Sequence, residues 1–264
     1  MHIVDTTKVL FYFMVRDCYS YRNKIKTYFL NYILIYPPIL CLSFAYLQTA
    51  VYFGAEHAKT GTTLFIGNTL LLALFLCNRT CMELLFDLDG HRYIDYQATL
   101  IDARLILVQR IVFAATFSFI VLLPFLPMSK LILQSHFDST NTSWPFLFLI
   151  LYVSCLCLAS YNILAACVLK NHRSLSTFWK RINTPLLFLG GFLVPWHIIN
   201  QYSPTLGQIV YLNPFIYMTE GLRQAIIGGD NFFSYATCIT GLLLMTLIFT
   251  LASFYFFKKK TDYV

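Results

Sequence analysis

Glu220 and Arg223 stand three residues apart in the stretch YLNPFIYMTEGLRQAIIGG, from Tyr211 to Gly229, which is otherwise free of charge. On a helix, side chains at i and i+3 are neighbours, so this carboxylate and guanidinium can form an ion pair. Two readings stand side by side: an exposed pair on a surface helix, or a pin that holds a helical hairpin beside a pathway. Spacing alone favours the first. Asn213–Pro214, just ahead of them, suits a helix start, because proline is tolerated in the first turn.

Other chemistry is hard to build from this sequence. No glycine is followed by lysine, which excludes a GxxxxGK[ST] phosphate loop, so any ATP must be bound by another polypeptide. There is no HExxH, no GxSxG and no pair of carboxylates inside an apolar run. The six histidines, His2, His57, His91, His136, His172 and His197, are far apart in sequence and read as lone interfacial residues. Of the eight cysteines, Cys18 lies in a basic segment, and Cys41, Cys77, Cys81, Cys155, Cys157, Cys167 and Cys238 fall in apolar runs. They read as small core residues, and their spacing lacks the His or second Cys pair that zinc needs. No catalytic, cofactor or metal site is expected on this chain.

The elements that position Glu220 and Arg223 follow from composition. Of 264 residues, 58% are hydrophobic and 12% charged, against roughly 45–50% and about 25% in soluble domains. Mean hydropathy is positive. An all-α integral membrane protein follows. Six stretches without Asp, Glu, Lys or Arg are long enough for the roughly 20 residues of a membrane span. They place spans at 28–53, 60–80, 108–128, 145–169, 182–198 and 232–257.

With six spans, Lys8, Arg16, Arg22, Lys24 and Lys26 share one side with Arg79, Arg92, Arg104, Arg110, Lys170, Arg173, Lys180, Arg181 and the Lys258–Lys260 tail. Lys59, Lys130 and Arg223 fall on the other. Basic residues accumulate in the cytoplasm, so both termini are expected there. Scattered at span ends, these charges argue against a nucleic-acid partner. The N-terminal segment lacks a cleavage site and does not read as a signal peptide.

The uncharged stretch from Ile182 to Thr219 is nearly twice as long as a bilayer core needs at about 1.5 Å per residue. A seventh crossing would put the lysine tail on the wrong side. The expected solution is one span followed by a re-entrant helical hairpin at 201–229, before the sixth span. Residues 5–24 read as a basic amphipathic helix on the membrane surface, with Val9, Leu10, Phe13 and Met14 at helical spacing. Residues 84–104 mix Asp87, Asp89, Asp95 and Asp102 with Arg92 and Arg104, and are expected to project into the cytoplasm as a short helical connector.

The segment from Asn183 to Gly228 resembles the C-terminal signature of type-2 ATP-binding-cassette permeases, a TPLxFLxGxFxP span followed by an amphipathic hairpin and LNPxxYxxExxR. Thr184–Pro185, Leu189–Gly190–Gly191, Pro195, Leu212–Asn213–Pro214, Tyr217 and Arg223 match it, and Glu220 stands where many members have an acidic residue. In the connector, Tyr93–Ile94–Asp95–Tyr96 stands in for a TLE-like element, and no Thr-Pro follows.

The resemblance implies a permease subunit without enzymatic activity, with two copies of itself and two copies of a separate ATPase that carries ATP and magnesium. It implies coupling through Asp87, Asp89, Arg92, Tyr93, Asp95 and Tyr96. It makes Asn213, Pro214, Tyr217, Glu220 and Arg223 an outer-gate hairpin. The expected location is the bacterial cytoplasmic (inner) membrane, in contact with lipid, and the expected cargo a polysaccharide, a lipid-linked glycan or an amphipathic drug. An ATP-independent channel or carrier should show internal repeats or mid-membrane charges, and a lipid-modifying enzyme a polar catalytic cluster. Neither pattern is visible.

Overall fold

The computed structural model describes residues 3–22, 30–31, 35–40, 42, 57–89, 97, 101–133, 141–169, 171–229 and 231–261. Among them every regular element is helical, as a chain that must satisfy its backbone inside a bilayer requires. The helices are α1 Ile3–Arg22, α2 Tyr36–Leu40, α3 His57–Asp89, α4 Ala103–Leu122, α5 Phe125–Leu133, α6 Trp144–Val168, α7 His172–Phe178, α8 Thr184–Leu189, α9 Trp196–Tyr202, α10 Pro204–Val210, α11 Pro214–Ile226 and α12 Tyr235–Thr261. A π turn at Trp179–Asn183 joins α7 to α8.

Four helical stretches are long and apolar enough to cross a bilayer: Gly61–Leu88, Arg104–Leu133, Trp144–Val168 and Tyr235–Lys260. They overlap the expected spans at 60–80, 108–128, 145–169 and 232–257. Most of the expected span at 28–53 lies outside the described residues. Arg104–Leu133 is interrupted by a turn at Leu123–Pro124, where proline has no N–H to continue α4 into α5.

The expected span at 182–198 is not one helix. Helical turns begin earlier, at His172, and end at Leu189. Gly191 has a φ of +79°, a backbone region that halts an α-helix, and α9 starts only after Pro195. A second difference lies at the end of α3. This helix is 33 residues long, about 50 Å, so the first part of the expected connector continues the span without a break. Arg79 and Glu83, four residues apart, pair at 3.3 Å on it.

α6 is the central helix, contacted by α3, α4, α11 and α12. Its Cys155, Cys157, Ala159, Ala165, Ala166 and Cys167 are buried, and such small side chains let helices approach closely. Two polar residues on its buried faces bond back to their own helix: Ser160 donates to the Cys157 carbonyl and Asn162 Nδ2 to the Leu158 carbonyl, each at 2.8 Å. The thiols of Cys77, Cys155, Cys157, Cys167 and Cys238 are free and buried, as core residues are, and that of Cys18 is free and exposed. At the far end, Lys260 donates to the Leu169 carbonyl at 2.8 Å, fastening the tail to the end of α6.

Candidate functional site

The Gly190–Gly191 break and α11 form a closed knot. Glu220 and Arg223 pair at 2.8 Å, as their spacing allows, but both are 0% exposed. The expectation that they stay near water on the outer surface is therefore overturned: protein surrounds them on every side. The guanidinium also donates to the Gly191 carbonyl, freed from helical bonding by the break. The Glu220 carboxylate accepts the Trp196 backbone N–H at 3.0 Å. Thr219, one residue earlier, donates to the Gly190 carbonyl at 2.8 Å. A buried charge needs such partners, and here the backbone of a broken helix provides them.

The glycines are required by contact. A Cβ on Gly191 would stand 2.6 Å from Thr219 Oγ1 and 3.0 Å from Arg223 Nη1. On the other side of the loop, the Phe192 carbonyl oxygen lies 2.0 Å from where a Cβ of Gly67 would be. Span α3 is thus pressed directly against the break.

Asn213 closes the hairpin from its other end. Its Oδ1 accepts the Phe215 N–H at 3.0 Å and caps α11, while its Nδ2 donates to the Leu186 carbonyl of α8 at 2.6 Å. Pro214 occupies the first turn of α11. Tyr217 donates to the Tyr211 carbonyl at 2.8 Å, and its ring fills the space where Gly241 of α12 has no side chain. The α9–α10 pair folds back on itself through Trp196, whose indole N–H donates to the Gly207 carbonyl at 3.0 Å. Trp196, Tyr211 and Phe233 pack ring to ring, Tyr211 and Phe233 stacked with centroids 5.2 Å apart.

A second polar cluster joins α1, α3 and α4. Arg110 of α4 pairs with Asp87 near the end of α3 and reaches Gln97 Oε1 at 3.5 Å. Next to it, Gln109 donates to Asp17 of α1 at 2.9 Å. Phe13 of α1 packs with Ile101 and Ile106, and Val9 and Leu10 extend the patch. Phe13 is thereby buried and Val9 and Leu10 are partly covered, while Phe11 and Tyr12 of the same helix stay exposed. Asp102 caps α4 by accepting the Arg104 N–H at 2.9 Å.

Of the expected coupling residues, Asp87 takes part in this cluster and Asp89 ends α3; the Asp89 side chain, and Arg92, Tyr93, Asp95 and Tyr96, lie outside the described residues. The expected hairpin residues Asn213, Pro214, Tyr217, Glu220 and Arg223 are brought together on and around α11. Sequence reasoning missed the roles of Trp196, Thr219, Gln97, Gln109, Arg110 and Asp17. Thr219, Glu220 and Arg223 do share one helical face, which is a signal that α11 is anchored by polar contacts. The arrangement holds backbone in place and presents no nucleophile with an adjacent base.

The ABC-2 type transporter family model matches residues 19–227, a range that holds Asp87, Gln97 and Arg110 as well as Gly191, Glu220 and Arg223. The chain belongs to the ABC-2 type transporter family. No curated protein and no solved structure matched it. As an ABC-2 type membrane domain, it is a permease subunit of an ABC transporter and a multi-pass membrane protein, of a kind that works with an ATPase subunit.

Proposed function

We propose that two copies of this chain, with two copies of a separate ATPase, form an exporter in the bacterial cytoplasmic membrane. Its substrate is a glycan, a lipid-linked glycan or an amphipathic molecule, moved outward from the cytoplasm. ATP and magnesium sit on the partner subunit.

The observation that carries this reading is the reach of α3. One unbroken helix bears Gly67, against the Phe192 carbonyl of the hairpin loop, and Asp87, paired with Arg110 beside the connector. Twenty residues separate them, about 30 Å of rigid helix, which is the thickness of a hydrocarbon core. A push at the connector therefore arrives at the hairpin without passing through a flexible joint. The basic residues at the connector end favour the cytoplasm for the ATPase, and the hairpin then faces outward.

Purification in mild detergent tests the proposal. A stoichiometric ATPase of separate sequence should accompany the chain, with hydrolysis dependent on the complex. Full transport by the chain alone in liposomes would refute it.

A further inference from the structure

We propose that the exposed face of α7, the π turn and α8 seats a cargo that carries a phosphate group on an apolar chain; this rests on the exporter reading and narrows its substrate class. Along this face Arg173, Thr177, Lys180 and Arg181 are exposed at helical spacing, and Ile182, Phe188 and Leu189 carry the same face onward. The opposite face, with Leu175, Asn183 and Leu187, is buried. One half of the exposed face is thus cationic and the other apolar. No Asp or Glu stands between Leu169 and Gly191. Among the described residues no carboxylate pairs with Arg173, Lys180 or Arg181.

The π turn fixes where two of these cations stand. Tyr161 donates to Asn183 Oδ1 at 2.6 Å, the Thr184 hydroxyl donates to the Trp179 carbonyl at 3.1 Å, and Trp179 stacks on Phe75 of α3 with centroids 5.1 Å apart. Tyr161 lies seven residues before the end of α6, about 10 Å along the helix. Lys260 meets the Leu169 carbonyl at that end. Lys180 and Arg181 therefore leave the backbone deeper than the lysine tail, at a level where a cation facing hydrocarbon is costly. An anion beside them offsets that cost, and an ammonium next to a guanidinium suits phosphate oxygens. The phosphate of a bulk phospholipid stays at the membrane surface. A cargo that descends to this level sets its phosphate on Lys180 and Arg181 and its chain along Ile182, Phe188 and Leu189.

Binding of dodecyl phosphate to the full chain in phosphatidylcholine nanodiscs tests this. Lys180→Gln with Arg181→Gln should weaken binding at least about tenfold, while Lys180→Arg, and Lys130→Gln on α5, should leave it within about twofold. Inorganic phosphate and dodecyltrimethylammonium should each bind at least about tenfold more weakly than dodecyl phosphate. Equal binding by the wild type and the double variant would overturn the proposal. So would equal binding of inorganic phosphate, which makes the face a free-phosphate site, or displacement of the probe by phosphatidylglycerol in the nanodisc, which assigns it to bulk lipid. If the double variant fails to fold, Lys180→Gln alone decides. In the complex with the ATPase, dodecyl phosphate should raise ATP hydrolysis at least about twofold in the wild type and not in the double variant; no rise in the wild type would overturn the cargo assignment. A chain that recruits no ATPase refutes the exporter reading, while the binding measurements still decide whether this face takes a chain-borne phosphate.

Discussion

The Glu220 carboxylate accepts the Trp196 backbone N–H at 3.0 Å, so a side chain of α11 caps the first turn of α9 across 24 residues of sequence. The same oxygen accepts Arg223 at 2.8 Å. One carboxylate thereby ties the start of the hairpin to its last helix, and the broken end of α8 is tied in through Gly191.

Removing one partner leaves the other charge buried and alone. Glu220→Leu should destabilise the protein by about 3–5 kcal/mol, while Glu220→Leu combined with Arg223→Met should be less damaging than either single change. Thermal unfolding in detergent reads both. A double variant as unstable as the sum of the singles would show that the two residues act independently.

Gly191→Ala meets two obstacles, a φ of +79° and a Cβ 2.6 Å from Thr219 Oγ1. Gly229→Ala has a φ of +104° but no atom within 4 Å. The first should therefore lower stability more, by roughly 1–3 kcal/mol beyond the backbone effect. Equal unfolding midpoints for the two would mean that the loop yields to an added methyl group.

Asn213 makes one bond as acceptor and one as donor, and two substitutions separate them. Asn213→Asp keeps the cap on Phe215 but sets a carboxylate against the Leu186 carbonyl in a site that is 4% exposed. Asn213→Ala loses the cap, worth about 1 kcal/mol, and the tie to α8. At neutral pH the Asp variant should be the less stable, since an ionised group is buried beside an acceptor. Expression level and unfolding midpoint in detergent rank them.

Cys18 is exposed on α1, which the charge distribution assigns to the cytoplasm. With Cys41 and Cys81 changed to serine, a membrane-impermeant maleimide should label Cys18 in inside-out vesicles and not in intact cells. Labelling in intact cells would reverse the orientation.

Much of the fold is legible in the sequence because bilayer thickness sets helix length. The middle parts of α3, α4 and α12, and the whole of α6, announce themselves by lacking charge. The end of α8 at Leu189, inside the expected span at 182–198, is less legible, since Gly190–Gly191 halts a helix only when the surrounding structure stabilises the positive φ, and the groups that do so are Thr219 and Arg223. The Glu220–Arg223 pair follows from i, i+3 spacing, but its burial does not. Its further partners are the Gly191 carbonyl and the Trp196 N–H, and every residue has such atoms. The helix of α1 is legible from the spacing of Val9, Leu10, Phe13 and Met14, but the contact of Phe13 with Ile101 and Ile106 is not, because an apolar stripe does not name what covers it. Arg110 counts in the sequence as one more basic residue at a span end, and only the fold places Asp87 opposite it.

Helices α9, α10 and α11 carry Glu220 and Arg223 as their only formally charged residues, locked together at 2.8 Å. A unit charge crossing the membrane feels about 2.3 kcal/mol for each 100 mV. Here the two signs travel together at nearly the same depth, and the electrical work cancels. In its formal charges, therefore, this hairpin is almost blind to the membrane potential.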